Sequence, residues 1–212
     1  MDDVKIWQLI HTERASMADT LASLPSTDWA KPSLCGDWSV HVTAGHILAG
    51  AEQTKGHFMK GMVTTGFRFN HLMDREAHRM GALPPADIIS RLQARTTTTN
   101  RPPAPVVTML GEIVVHSEDI RGAVGQRAMV DRDAIVACLE MYKDANFPLG
   151  TKKRIEGLRL VADDVDWTHG NGPEVSGPGL SMLMAMTGRP QGLDALTGDG
   201  VATLRTRMLR AS

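Results

Sequence analysis

The stretch Val106 to Val124 is apolar nearly all round, yet it carries Glu112 and His116 among Val107, Met109, Leu110, Ile113, Val114 and Val115. Such a segment is a buried helix, and Gly125 is placed to end it. An ionised glutamate inside an apolar helix is costly unless a cation or a metal compensates it. Whatever this chain folds into must therefore bring a partner to Glu112.

Apolar spacing elsewhere predicts further helices. Ile6, Ile10, Met17, Leu21 and Leu24 recur at helical intervals from Val4 to Leu24, and Pro25 ends that segment. After a loop carrying Trp29, Pro32, Cys35, Gly36 and Trp38, Ser39 caps a helix that runs through His46 toward Met62. Asn70–Gly81, Pro85–Thr98 and Arg132–Ala145 read as helices, the first two separated by the Pro84–Pro85 break. Alternation at Leu158–Leu160 and Val165–Trp167 reads as a hairpin, and Pro178 opens a helix that Gly188 ends. The expectation is a mainly α protein: a helical bundle over 1–150 and a small α+β subdomain over 151–212.

Composition narrows the function. A formal net charge of -1, from Lys+Arg 23 against Asp+Glu 24, argues against a nucleic-acid partner. No apolar run approaches the about 18 residues that span a bilayer, and Met1-Asp2-Asp3 lacks the basic start of a signal peptide, so the expected setting is cytoplasmic, with no membrane partner. Two cysteines, Cys35 and Cys138, are too few for a disulfide framework or a thiolate cage. Cys35 reads as a small buried hydrophobe more readily than as a nucleophile.

Three carboxylates stand four residues before a histidine: Asp37/His41, Asp74/His78 and Glu112/His116. That spacing puts both groups on one helix face. Asp74/His78 lies in a polar segment and reads as a surface pair, and Asp37 stands where a capping carboxylate serves a helix start. Glu112/His116 differs by its apolar surroundings. His46 poses a matching problem, because Val42, Thr43, Ala49 and Gly50 offer its imidazole no strong partner. Bringing the two helices together solves both: His46, Glu112 and His116 form a two-histidine, one-carboxylate set typical of catalytic zinc, with Fe(II), Ni(II) and Mn(II) as alternatives. Asp119 falls near the same face, placed to orient a ligand, activate a water or shuttle a proton. The competing reading makes His46 an ordinary core histidine and pairs Glu112 with an arginine. His57, on the same continuous helix, lies about 16 Å along the axis from His46 and cannot share an ion with it. His11, His71 and His169 carry no assigned role, and Trp29 and Trp38 read as loop anchors.

Several separated segments resemble the mycothiol-dependent maleylpyruvate isomerase family, a branch of the DinB-like metalloproteins. They are Glu13-Arg14, Trp29, the run Pro32 to Val40 with His46 eight residues beyond Trp38, the run Glu112 to Arg121, and in the C-terminal part Trp167-Thr168-His169-Gly170, Gly172 to Val175 and Leu196 to Val201. The resemblance implies a DinB-like four-helix bundle with a small C-terminal α+β subdomain. It implies that His46, Glu112 and His116 hold a divalent metal, usually zinc, with Asp119 beside it. Arg189 matches a family arginine near the site, although a helix-end charge facing water is the plainer reading of Thr187-Gly188-Arg189. Asp37 in place of a common glycine, and His41-Val42-Thr43, depart from the family pattern without touching the ligands. The predominance of arginine over lysine fits a GC-rich actinobacterial genome.

The implied function is metal-dependent use of a low-molecular-weight thiol, mycothiol or similar, for sulfur transfer to, or cis-trans isomerisation of, a small electrophilic substrate. The alternatives are a hydrolase with a metal-bound water as nucleophile, and a non-catalytic metal-containing binder of small ligands. The expected assembly is a monomer or homodimer.

Overall fold

The structure, a computed structural model, describes residues 1–209. It divides into two compact units, Met1–Met129 and Val130–Ser212. The expected bundle over 1–150 therefore ends earlier, and the helix beginning at Arg132 packs with the C-terminal unit.

In the first unit the helices are α1 (Asp3–Ser23), α2 (Val40–Glu52), α3 (Lys55–Thr64), α4 (Phe69–Gly81), α5 (Pro85–Ala94) and α6 (Val106–Val124). Helices α1, α5, α2 and α6 pack in a closed ring of four, each against the next, and α4 lies on α2. The ring buries the stripe read from the sequence on α1, Ile6, Ile10, Met17 and Leu21, together with Ile88 and Leu92 from α5 and Leu110, Val114 and Ile120 from α6. Asp2 caps α1 and Ser39 caps α2, each accepting a hydrogen bond from a first-turn amide, and Gly125 ends α6 at φ 70 in the left-handed region.

The helix expected to continue from Ser39 to Met62 is interrupted. The chain leaves helical geometry at Gln53, and Thr54 restarts it by accepting a hydrogen bond from the His57 amide at 3.1 Å. No glycine or proline marks this break; a threonine cap does. His57 is thus on a different helix from His46, and its ring faces Glu76 on α4, with Nε2 3.9 Å from Oε2.

Glu76 is buried and accepts from Arg79 Nε at 2.9 Å, Arg79 Nη2 at 2.7 Å and Arg75 Nη2 at 3.1 Å. Burial alone would raise its pKa, but the guanidinium hydrogen bonds prevail and hold it below the ordinary carboxylate value. Its contribution to stability is complete above the usual carboxylate range and is lost as pH falls through the lowered folded-state value. Glu76→Gln should cost about 1.5 kcal/mol near neutral pH, the low end for hydrogen bonds to charged groups because both guanidiniums are half in water. Chemical denaturation across pH checks this: the gap between the two proteins should close on acidification, and a gap that is constant with pH would contradict it.

In the second unit α7 (Arg132–Lys143) packs on α9 (Gly179–Met186), with the short α8 (Thr151–Ile155) and α10 (Val201–Leu209) at their sides. The predicted hairpin forms between β1 (Arg159–Ala162) and β2 (Trp167–His169), antiparallel with Leu160 opposite His169. A third strand, β3 (Glu174–Gly177), pairs parallel with β1 on its other edge. Sequence periodicity gave no sign of it, since only Val175 in that stretch is a large apolar residue and it alone turns inward with Gly177. Leu160 and Val175 sit side by side in the core. Pro178 is the N-cap residue rather than the first helical one. No helix among the described residues is long and apolar enough to cross a membrane.

Candidate metal centre

Helices α2 and α6 meet inside the ring of four, and their contact brings three of the sequence-predicted residues together. His46 Nε2 lies 2.9 Å from Glu112 Oε2, and His116 Nε2 lies 3.5 Å from the same oxygen. One ligand atom from each of His46, Glu112 and His116 falls within 4.8 Å of the others. Donors about 2.1 Å from a tetrahedral cation are about 3.4 Å apart, so these separations need little adjustment to accommodate one. Among the described residues the ion pairs of Glu112 are with the two histidines and not with an arginine, unlike the arrangement of the competing reading. The buried arginine network on α6 is a separate one: Arg121 Nη1 is 3.0 Å from Glu118 and 3.9 Å from Glu13, while Nη2 donates to Ser16 Oγ at 2.8 Å.

Asp119, fully buried, takes the other side of His116, with Oδ2 2.9 Å from Nδ1. A carboxylate at Nδ1 fixes the tautomer that leaves the Nε2 lone pair free to bind a cation, the usual arrangement behind a metal-bound histidine. Burial opposes charge on His116, but hydrogen bonds with Asp119, the Cys35 thiol and Glu112 prevail, raising its pKa well above the ordinary histidine value. Burial lowers that of His46, against its hydrogen bond to Glu112. Hydrogen bonds with His116 and His46 outweigh desolvation and hold the Glu112 carboxyl, whose side chain is partly exposed, well below the usual carboxylate range. One imidazole kept neutral, a second that gives up its Nε2 proton when a cation binds, and one firmly ionised carboxylate are the donor chemistry of a divalent borderline cation.

The loop before α2 completes the surroundings. Leu34 N donates to Asp119 O at 3.1 Å, and a Cβ on Gly122 would lie 2.6 Å from Leu34 Cδ1, so this glycine lets the loop press onto α6. Thr43 Oγ1 donates to Ser33 Oγ at 2.8 Å, tying the loop to α2. Cys35 is thereby set half-buried beside His116, and its sulfur, a His116 nitrogen and an Asp119 oxygen form a second group within 4.8 Å. Sequence reasoning missed this proximity. Trp38, expected as a loop anchor, lies over both imidazoles, 5.0 Å from the His46 ring and 6.2 Å from His116, and donates from Nε1 to Asp74 at 3.0 Å. Trp29 is buried edge-on to His41 at 5.1 Å.

The other histidine pairs are as ordinary as their surroundings suggest. His78 Nδ1 is 3.2 Å from Asp74 Oδ1 in an exposed pair, and His41 turns away from Asp37 to bond Leu83 O at 2.8 Å. Arg189 belongs to the second unit, where it is buried and donates from Nη1 to Thr187 O at 2.9 Å instead of standing in water at a helix end.

A cavity opens at the centre, lined by His46, Glu112 and His116 together with Gly50, Met109 and Arg14. Arg14 was legible only as part of the Glu13-Arg14 resemblance, because the cavity it borders is made by helices far apart in sequence.

Residues 10–106 match the family model described as Mycothiol maleylpyruvate isomerase N-terminal domain, a span that contains His46 and stops before Glu112. No curated protein matches the chain. Among solved structures, a mycothiol-dependent maleylpyruvate isomerase is similar at 15% identity and a TM-score of 0.66, covering 94% of this chain and 93% of that one. A histidine-to-alanine mutant described under the same name is similar at 14% identity and a TM-score of 0.67, with the same coverage. Residues 10–106 are thus matched by the mycothiol maleylpyruvate isomerase N-terminal domain, and almost the whole chain has the DinB-like fold of a mycothiol-dependent maleylpyruvate isomerase.

Proposed function

We propose that this chain is a metal-dependent enzyme that uses a low-molecular-weight thiol, mycothiol or a relative of it, to add sulfur to a small electrophile or to isomerise it. The observation that carries the reading is Glu112, an ionised carboxylate facing two imidazoles across one cavity with no arginine partner among the described residues. The family match over residues 10–106 and the shared fold point the same way.

His46 Nε2, Glu112 Oε2 and His116 Nε2 would hold the cation, and zinc suits two nitrogens and one oxygen. A divalent cation bound there supplies the positive charge that keeps a thiol ionised at neutral pH. Asp119 accepts the His116 Nδ1–H and holds the ring with its Nε2 toward the centre. Trp38 covers the imidazoles and limits water on that side. In the reaction the thiolate sulfur bonds to a carbon of a conjugated double bond, and the π electrons move onto the adjoining carbonyl. Rotation about the resulting single bond and loss of the thiolate give the isomer; protonation of the carbon instead gives the thioether.

Metal-loaded protein with a small thiol and a conjugated electrophile tests this. Isomer or thioether should form only when metal and thiol are both present; turnover without thiol would indicate hydrolysis and contradict the proposal. Asp119→Asn should weaken metal binding by about 10–100-fold, the usual effect of losing the group behind a ligand histidine. Chelator competition measures this, and an unchanged affinity would remove Asp119 from the role given to it.

A further inference from the structure

Helix α3 turns its apolar side outward. The residue it buries is Gly61, which fits against Leu72 of α4, where a Cβ would lie 2.6 Å from Leu72 Cδ1. At about 100° per residue, Met59 and Val63 fall on the side opposite Gly61, with Lys55 and Lys60 flanking them. Met59 is 48% exposed and Val63 62%. A surface helix ordinarily turns such a stripe toward the core, and here the core contact is left to a glycine.

The turn that follows has the same character. Phe67 is 68% exposed, and at φ 60 it is the one non-glycine residue with a left-handed backbone among the described residues. A bulky side chain is rare in that region, and this ring gains little burial within the chain. The Phe67 amide donates to Met62 O at 2.7 Å, which holds the turn against the end of α3. Met59, Val63 and Phe67 thus form an apolar crest that the protein itself leaves in water, the kind of patch that marks a contact surface.

Charge decides what covers the crest. No acidic residue stands between Glu52 and Asp74, and Lys55, Lys60 and Arg68 are all exposed. The two flanking acids are engaged elsewhere, Glu52 by Arg91 at 2.5 Å and Asp74 by His78 at 3.2 Å. A two-fold contact with a second copy would set these cations against themselves, which costs affinity. The helix packs chiefly on α4, so its outer side is convex. A convex apolar crest flanked by cations suits a yielding anionic surface better than a fitted protein socket.

We infer that the outer side of α3 and its turn, from Lys55 to Arg68, docks on an anionic lipid bilayer, with Met59, Val63 and Phe67 entering the boundary between headgroups and acyl chains. The helix lies on the membrane and does not span it, in keeping with the lack of any described helix long and apolar enough to cross. The expectation of no membrane partner rests on the want of a spanning run and of a signal peptide, and neither bears on a surface contact.

Flotation of the whole protein with vesicles tests this. At low ionic strength it should rise with vesicles of phosphatidylglycerol and phosphatidylcholine in equal parts, stay behind with phosphatidylcholine alone, and be released by salt. Phe67→Gly removes the ring from a backbone position that glycine adopts freely, so Tm should not fall while binding to the anionic vesicles drops about tenfold. Lys60→Gln should weaken the same binding about fivefold. No binding to the anionic vesicles, equal binding to the neutral ones, or binding that either variant leaves unchanged overturns the inference. A dimer that Phe67→Gly dissociates would give the crest to a second copy and overturn it equally.

Discussion

Glu112→Ala should leave a folded protein that neither retains a stoichiometric divalent cation nor turns over substrate with thiol. The side chain is 45% exposed, so its removal opens no sealed core void. What it removes is the one anionic donor between two imidazoles, and with it the charge that holds the His116 ring toward the centre. A cation that stabilises developing charge is worth several kcal/mol, and each 1.36 kcal/mol is tenfold, so kcat/KM should fall by about three orders of magnitude. His46→Ala should do the same from the other helix. Metal analysis after gel filtration, together with the thiol-dependent rate, reads the outcome. Full metal content and near-normal rate in either variant would contradict the assignment of these residues.

Gly45→Ala should be the most destabilising single methyl in the first unit. Gly45 sits where α2 crosses α4, and a Cβ there would lie 2.7 Å from Ala77 O and 2.7 Å from Gly81 Cα, both backbone atoms of the facing helix. Backbone cannot rotate aside as a side chain can, so the two helices must separate. Overpacking of this kind costs about 1–3 kcal/mol or more, and for a chain of this size each kcal/mol lowers Tm by about 2–4 °C. Because His46 is the next residue, the displacement also moves a proposed ligand, and metal affinity should fall together with stability. Gly50→Ala is the control on the same helix: its Cβ would meet only Met109 Cε at 3.8 Å, an ordinary contact, and should be tolerated. Thermal unfolding of the two variants compares them; equal Tm values would mean that the crossing is not limited by Gly45.

The parts of this molecule that were legible in the sequence are those where local pattern and tertiary role coincide. Val106–Val124 is apolar all round because it lies inside the ring of helices, and Gly125 ends it in the left-handed region that a glycine adopts freely. Glu112 and His116 could be placed on one face from their spacing, and the want of partners for Glu112 and His46 pointed each toward the other. Features made by chain crossings were hidden. Cys35 and Trp38 reach the imidazoles because Leu34 and Ser33 pin their loop to α6 and α2, and no spacing encodes those contacts. Arg14 reaches the cavity from α1 for the same reason. The break at Gln53–Thr54 was missed because a threonine cap looks like any polar residue within a helix. The strand Glu174–Gly177 was missed because four residues with one inward valine carry too little alternation to register.

The second donor group, Cys35 with His116 and Asp119, shares His116 with the first, and Asp119 meets that ring at Nδ1. There the Asp119 carboxylate already holds the Nδ1 hydrogen bond at 2.9 Å, so a cation would have to displace that bond. The side of Nε2 is lined by the cavity and needs no such displacement.

X-ray absorption at the metal edge of reconstituted protein, before and after addition of a small thiol, separates these arrangements in one experiment. Only nitrogen and oxygen donors should surround the ion at first, a sulfur donor should appear when thiol is added, and both signals should vanish in His46→Ala. Sulfur present before any thiol, persisting in His46→Ala and lost in Cys35→Ser, would place the ion on the other face of His116 and contradict the centre described here.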